Sequence, residues 1–196
     1  SFPTRRSSDL TETTVLNEGG KYHVALFDFG CKNNIQRSLV KRDCKVSVVP
    51  ATTTASQLKE MGLDGIMLSN GPGDPAENVE IIENLKEIAK MGLPIFGICL
   101  GHQLMALAQG AKTEKLKYGH RGVNQPVTDL AHGRTYITSQ NHGYAVVGDS
   151  LDKSLGEVSH VNANDGTVEG IRYNNMYCFT VQFHPEACGG PKDTYY

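Results

Sequence analysis

Gly97-Ile98-Cys99-Leu100-Gly101 sets one cysteine between glycines two residues away on either side, where the apolar run Ile95 to Ile98 gives way to a helical pattern. A thiol in that setting can serve as a nucleophile. A sharp strand-to-helix bend presents the side chain, and the glycines remove the neighbours it would strike. The helix that starts there aims unpaired N–H groups and the positive end of its dipole at the sulfur, which favours thiolate over thiol. The N–H of Leu100 is then well placed to donate to an oxyanion. A free cysteine is otherwise a small core residue. That is the reading for Cys31, Cys44, Cys178 and Cys188, none of which has such a frame.

A thiolate nucleophile needs an imidazole to take and return its proton. Of the seven histidines, His184 stands out because it ends the apolar stretch Cys178 to Phe183 and precedes Pro185 and Glu186. The carboxyl ends of strands in open α/β sheets face the ligand crevice, and proline restricts the backbone that follows. Glu186 can accept from the second ring nitrogen and set tautomer and orientation. Cys99, His184 and Glu186 are therefore the expected catalytic triad. His102 sits on the helix that follows Cys99 and reads as packing. His142, in the turn Gln140-Asn-His-Gly-Tyr144, is the rival base.

These residues require a scaffold of alternating strands and helices. Strands are expected at His23–Phe29, Lys45–Val49, Gly65–Ser69 and Ile95–Ile98. Helices are expected after Asn33 or Asn34, carrying Ile35, Leu39 and Val40, then around Ala55–Met61, through Ile81, Ile82, Leu85, Ile88 and Ala89, and over Leu100–Gln109. Asn70-Gly-Pro-Gly-Asp-Pro75 is a dense turn signal. Beyond Gly110 the helical signal fades, and Thr135–Ser139, Glu157–Val161, Val168–Ile171 and Cys178–Phe183 read as further strands. The pattern predicts an α/β fold with a mostly parallel, doubly wound sheet flanked by helices and a small antiparallel extension. Residues 1–20 read as a linker or disordered N-terminal segment, and 21–196 as one domain.

Bulk properties narrow the function classes. Apolar residues make up 39% of the 196, enough for a core, and 19 basic against 21 acidic residues leave no basic block for nucleic acid. Apolar stretches are too short to cross a bilayer, and no secretory h-region follows Arg5 and Arg6. Five irregularly spaced cysteines suggest neither a disulfide framework nor a zinc site, so reduced thiols in the cytoplasm and no metal are expected. No nucleotide-binding glycine motif occurs.

Gly97-Ile-Cys-Leu-Gly-His-Gln103 together with Phe183-His-Pro-Glu186 resembles the class I (triad) glutamine amidotransferases, a flavodoxin-like family, from about Lys21 to Tyr196. The resemblance implies hydrolysis of glutamine's side-chain amide through a glutamyl thioester on Cys99, with His184 as acid and then base. It matches the oxyanion donors to Leu100 and the Gly71-Pro-Gly73 loop. Within the family, Phe27–Ile35, Leu68–Pro75, Gly119–Val127 and Ser139–Ala145 are similar to small subunits of carbamoyl-phosphate synthetases. Carried over position by position, the glutamine site is Gly71, Gly73, Leu100, Gln103, Asn141, Gly143 and Tyr144. The resemblance implies ammonia transfer to a large synthetase subunit that combines it with bicarbonate. It places ATP and magnesium on that partner and no cofactor here. It also implies an N-terminal domain this chain lacks and a domain truncated at its C-terminus. The alternatives are the glutaminase of an anthranilate or guanylate (GMP) synthase, a catalytically silent module of the same fold, or another hydrolase with the same elbow.

Overall fold

Tyr22–Asp28 is apolar on both faces, and the fold covers both. Successive strand residues point to opposite sides. Ala25 and Phe27 enter one buried cluster and Leu26 the other. A strand of this kind belongs in the middle of a sheet with helices on each side. That is its place in a computed structural model, which describes residues 12–30 and 33–185.

In chain order the elements are β1 (Thr14–Leu16), β2 (Tyr22–Asp28), α1 (Asn33–Lys41), β3 (Cys44–Pro50), α2 (Ala55–Lys59), β4 (Gly65–Leu68), α3 (Val79–Ile88), β5 (Ile95–Ile98), α4 (Leu100–Ala108), β6 (Lys112–Asp129), β7 (Arg134–Val147), β8 (Gly156–Asn162), β9 (Val168–Tyr173) and β10 (Cys178–Val181). The described strands form one sheet in the order β1-β3-β2-β4-β5-β10-β9-β8-β6-β7. Its centre, β3-β2-β4-β5-β10, is parallel. β1 adds antiparallel to β3, and β9, β8, β6 and β7 continue antiparallel beyond β10.

One face packs on α2, α3 and α4 through Leu58, Leu85, Ile88, Leu104 and Met105. The other packs on α1 through Ile35 and Leu39, against Leu26, Val46 and Val48. Each fully buried aliphatic chain of this kind stabilises by roughly 1.5–3 kcal/mol. Helix α2 starts on a capping box in which Thr54 and Gln57 exchange side-chain and backbone bonds. Among the described residues no helix is long and apolar enough to cross a membrane.

The α/β class and the parallel centre match the sequence reading, with three differences. Thr14–Leu16, inside the stretch read as linker, is an edge strand on β3. Strand β6 runs 18 residues where no strand was expected. Most of its residues are exposed or half-buried, so it lacks the alternation that marks a strand; its ladder with β7 holds it through the backbone. With β6 included, the antiparallel part is larger than a small extension. β10 also ends at Val181, so Gln182, Phe183 and His184 lie beyond the strand.

Candidate active site

Cys99 is the first residue after β5 and the N-cap of α4, with φ 52° and ψ −104°. A non-glycine residue held at positive φ costs on the order of 1–3 kcal/mol and persists only where its surroundings dictate it. Here they do. The Cys99 N–H donates to Val181 O (2.9 Å), the Gly101 N–H to Ser69 O (3.1 Å) and the Gln103 N–H to Cys99 O (3.1 Å). The flanking glycines are steric necessities. A Cβ on Gly101 would lie 2.5 Å from Leu68 O, and one on Gly97 2.9 Å from Thr180 Cγ2. The bend expected from sequence is therefore present, made by close approach of α4 to β4 and β10.

His184 leaves the sheet beside it. β5 and β10 are parallel neighbours with Ile98 opposite Val181, so Cys99 and His184 both emerge from the same, C-terminal edge. The His184 N–H donates to Ser139 O (2.9 Å). Cys99 is 4% and His184 5% exposed. Glu186, the expected third member of the triad, lies outside the described residues, as do Cys31 and Cys188.

The other two histidines near the elbow are held in different roles. His102 is fully buried with Nδ1 2.8 Å from Thr180 Oγ1, and burial lowers its pKa to about 3. This agrees with a packing residue. His142 has Nδ1 2.7 Å from Tyr144 O. A carbonyl only accepts, so that nitrogen carries the proton. Burial foremost, with His120 and His184 nearby, lowers the His142 pKa to about 4. Its Nε2 lies 2.7 Å from the Gln140 side-chain amide, so both ring nitrogens are engaged and the imidazole is fixed beside the Tyr144 carbonyl.

That carbonyl also accepts from Gln103 Nε2 (2.8 Å), whose amide donates in addition to Gln182 Oε1 (2.9 Å). Gln182 Nε2 in turn lies 3.5 Å from Cys99 Sγ. The fold thus brings Gln103 and Tyr144 together and links both to the sulfur. Gln182 went unrecognised in sequence; a polar residue inside the otherwise apolar end of the stretch Cys178–Phe183, two positions before His184, was the available signal. Of the remaining expected glutamine-site residues, Asn141 is exposed on β7 opposite Arg121, while Gly143 and Tyr144 are half-buried.

The Asn70–Pro75 turn is seated on the end of β2. Ser69 Oγ donates to Phe27 O (2.6 Å) and accepts from the Phe29 N–H (3.2 Å). A Cβ on Gly71 would fall 2.1 Å from Phe29 O, and Leu100 Cδ2 touches the same spot. Gly73, at φ 97°, takes a conformation that suits glycine. The loop and the start of α4 are therefore in contact, as an oxyanion pocket shared between them requires.

Against His142 sits an ionic cluster that the sequence did not reveal, in which His120 and Glu169 are buried and Asp165 is exposed. His120, on β6, places Nε2 2.7 Å from Asp165 Oδ2 and Nδ1 3.4 Å from Glu169 Oε1. Its ring meets His142 edge-on at 5.1 Å. Glu169, then Asp165, raise the His120 pKa to about 9 against the effect of burial. Burial outweighs His120 at Glu169, whose carboxyl titrates above its ordinary value. The ligating atoms of His120, His142 and Glu169 lie within 4.8 Å of one another. Asp165 takes Nε2 and Glu169 stands within ion-pair range of Nδ1, so the cluster reads as an ion pair supporting the β6–β7 hairpin.

The fold is an α/β sheet with a strained cysteine elbow at its carboxyl edge and a histidine just beyond the adjacent parallel strand. The glutamine amidotransferase class-I family matches residues 25–196, and the chain belongs to that family. It is 58% identical over 183 residues to a carbamoyl phosphate synthase small chain of Bacillus cereus, covering 93% of this chain and 50% of that one. It is 55% identical over 185 residues to the protein of that name from Chlorobaculum tepidum, with the same coverage. It is 50% identical over 198 residues to that of Lactococcus lactis, covering 100% of this chain and 54% of that one. The chain spans about half the length of the curated relatives it matches. Among solved structures, a GMP synthase component from Thermoplasma acidophilum superposes with TM-score 0.75 at 24% identity, covering 86% of each chain. A glutamine amidotransferase from Thermotoga maritima superposes with TM-score 0.66 at 15% identity, covering 84% of this chain and 76% of that one. Both likenesses concern the fold.

Proposed function

We propose that this chain hydrolyses the side-chain amide of glutamine and supplies the ammonia to a synthetase chain that makes carbamoyl phosphate from it with bicarbonate and ATP. The observation that carries the hydrolytic reading is the Cys99 backbone, held at φ 52° on the N-cap of α4. Strain of this kind is retained where a side chain must be presented.

The chemistry follows from the residues assigned. Cys99 sulfur attacks the amide carbon while His184 takes the thiol proton. The Leu100 N–H and the Gly71–Gly73 loop hold the resulting oxyanion. His184 returns the proton to the departing nitrogen, ammonia leaves, and a glutamyl thioester remains. Water, deprotonated by His184, then releases glutamate. The role of orienting His184 is assigned to Glu186 by the triad reading. Gln103 has committed both amide protons to Tyr144 O and Gln182 Oε1, which leaves its oxygen to accept from the substrate ammonium. Asn141 and Gly143 complete the amino-acid end of the pocket, with Tyr144 as a wall. Thiol, imidazole and water suffice for this half-reaction, so ATP and magnesium belong to the partner. The free thiols of Cys44, Cys99 and Cys178 suit the cytoplasm.

The relatives' shared name supports carbamoyl phosphate over anthranilate or guanylate as the product served. The test is to incubate the chain with glutamine and measure glutamate and ammonia, with Cys99→Ser alongside. Turnover should fall at least a hundredfold in the variant while glutamine still binds. Equal turnover in both proteins would refute the nucleophile. Adding a carbamoyl-phosphate synthetase large chain should yield glutamine-dependent carbamoyl phosphate; no complex and no product would refute the partner.

A further inference from the structure

We propose that Gln182 is a further catalytic residue, an N–H donor to the Cys99 sulfur whose orientation is dictated by Gln103. The inference rests on the assignment of Cys99 as nucleophile and extends it to a residue outside the triad.

Polarity decides the argument. A side-chain amide can present either end to a neighbour, and only its hydrogen-bond partners choose between them. The choice here starts from a backbone carbonyl, which cannot donate. Tyr144 O requires Gln103 to turn its NH2 inward (2.8 Å). The second proton of that NH2 faces Gln182, which must answer with its oxygen (2.9 Å). With its oxygen committed, Gln182 has only N–H groups left for the sulfur, and Nε2 stands 3.5 Å from Cys99 Sγ. His142 Nδ1 donates to the same Tyr144 carbonyl (2.7 Å) and holds the start of the chain.

The anchor at the other end is equally firm. The Gln182 backbone N–H donates to Glu169 O, and the Cys99 N–H to the carbonyl of Val181, the residue before Gln182. Gln182 is fully buried and Gln103 3% exposed, so water does not compete strongly for these bonds. Hydrogen bonds to charged groups contribute roughly 1.5–3 kcal/mol, which corresponds to about ten- to a hundredfold. A donor at this position stabilises the sulfur whenever it carries negative charge. That happens twice in the cycle: as the thiolate forms for attack, and as it leaves when water cleaves the thioester. A core amide satisfied only for packing would not be expected to end on the reacting atom.

Two variants separate the roles. Gln182→Glu keeps an oxygen for Gln103 and turns a second, charged oxygen toward the sulfur. Gln182→Met keeps the length and removes the donor. Each is made in the full chain, and folding is checked by thermal unfolding. Cys99 is then alkylated with iodoacetamide from pH 6 to 10, and modification at that residue is followed by peptide mass mapping without glutamine. Alkylation at pH 7 should slow about tenfold in Gln182→Met and more in Gln182→Glu. In steady state, kcat for glutamine hydrolysis should fall in the same order, and by a larger factor than KM rises. Alkylation profiles superimposing on the parent in both folded variants would overturn the role of Gln182 and leave Cys99 standing. A parent in which Cys99 resists alkylation throughout, or in which Cys99→Ser still turns over, would overturn the nucleophile and this inference with it.

Discussion

Gly101→Ala tests whether the elbow depends on how closely α4 approaches the sheet. The new Cβ would lie 2.5 Å from Leu68 O and 2.6 Å from Leu68 Cβ, about 0.9 Å short of the 3.4 Å at which ordinary contact begins. Both obstacles belong to β4, a central strand paired on both sides, and cannot swing aside. The helix must therefore move, stretching the 3.1 Å bond from the Gly101 N–H to Ser69 O. Overpacking of this kind costs about 1–3 kcal/mol, with backbone obstacles at the upper end. The gain in helix propensity from glycine to alanine returns at most about 1 kcal/mol. The net cost should be about 2 kcal/mol, a fall of roughly 4–8 °C in the thermal midpoint for a domain of this size. The displaced helix carries Leu100 and shifts Cys99 by a similar fraction of an ångström, enough to cost about tenfold or more in kcat. Differential scanning calorimetry and glutamine turnover on the same preparation measure both. A variant as stable and as active as the parent would refute the steric account of the glycine frame.

Two further outcomes follow from buried polar contacts. His120 stays charged in the fold up to about pH 9, whereas an unfolded histidine loses its proton near 6.5. The ion-pair contribution is therefore complete below pH 6.5 and is lost as pH rises toward 9. The midpoint should fall across that window in the parent and stay flatter in His120→Gln, and parallel curves would refute the pairing. Ser69→Ala strips the bonds to Phe27 O and the Phe29 N–H. It should cost about 1–3 kcal/mol in denaturant unfolding and lower turnover through the Gly71 loop, whereas unchanged values would show that the loop is held elsewhere.

The features legible in the sequence are those whose cause is local. Glycines two residues either side of Cys99, an apolar tetrapeptide before it and a 3.6-residue apolar repeat after it are enough to specify a strand, a bend and a helix. The structure has all three, at Ile95–Ile98 and Leu100–Ala108. β6 was not legible because its strand character comes from pairing with β7 and not from its own side chains. Thr14–Leu16 likewise acquires its conformation from β3. His142 looked like a possible base in sequence, since nothing nearby tells how deeply it is buried. Burial in the folded chain is what lowers its pKa to about 4.

What the chain determined by itself is the parallel α/β centre and the position of one cysteine at its carboxyl edge, because backbone sterics and apolar periodicity act over a few residues. Tertiary structure alone decided which polar groups meet there. Gln103 reaches Tyr144 across 41 positions and Gln182 across 79. Gln182 reaches the Cys99 sulfur across 83 positions. Donor and acceptor are matched only after β5 and β10 lie side by side, because hydrogen bonds act over about 3 Å of space whatever the distance along the chain.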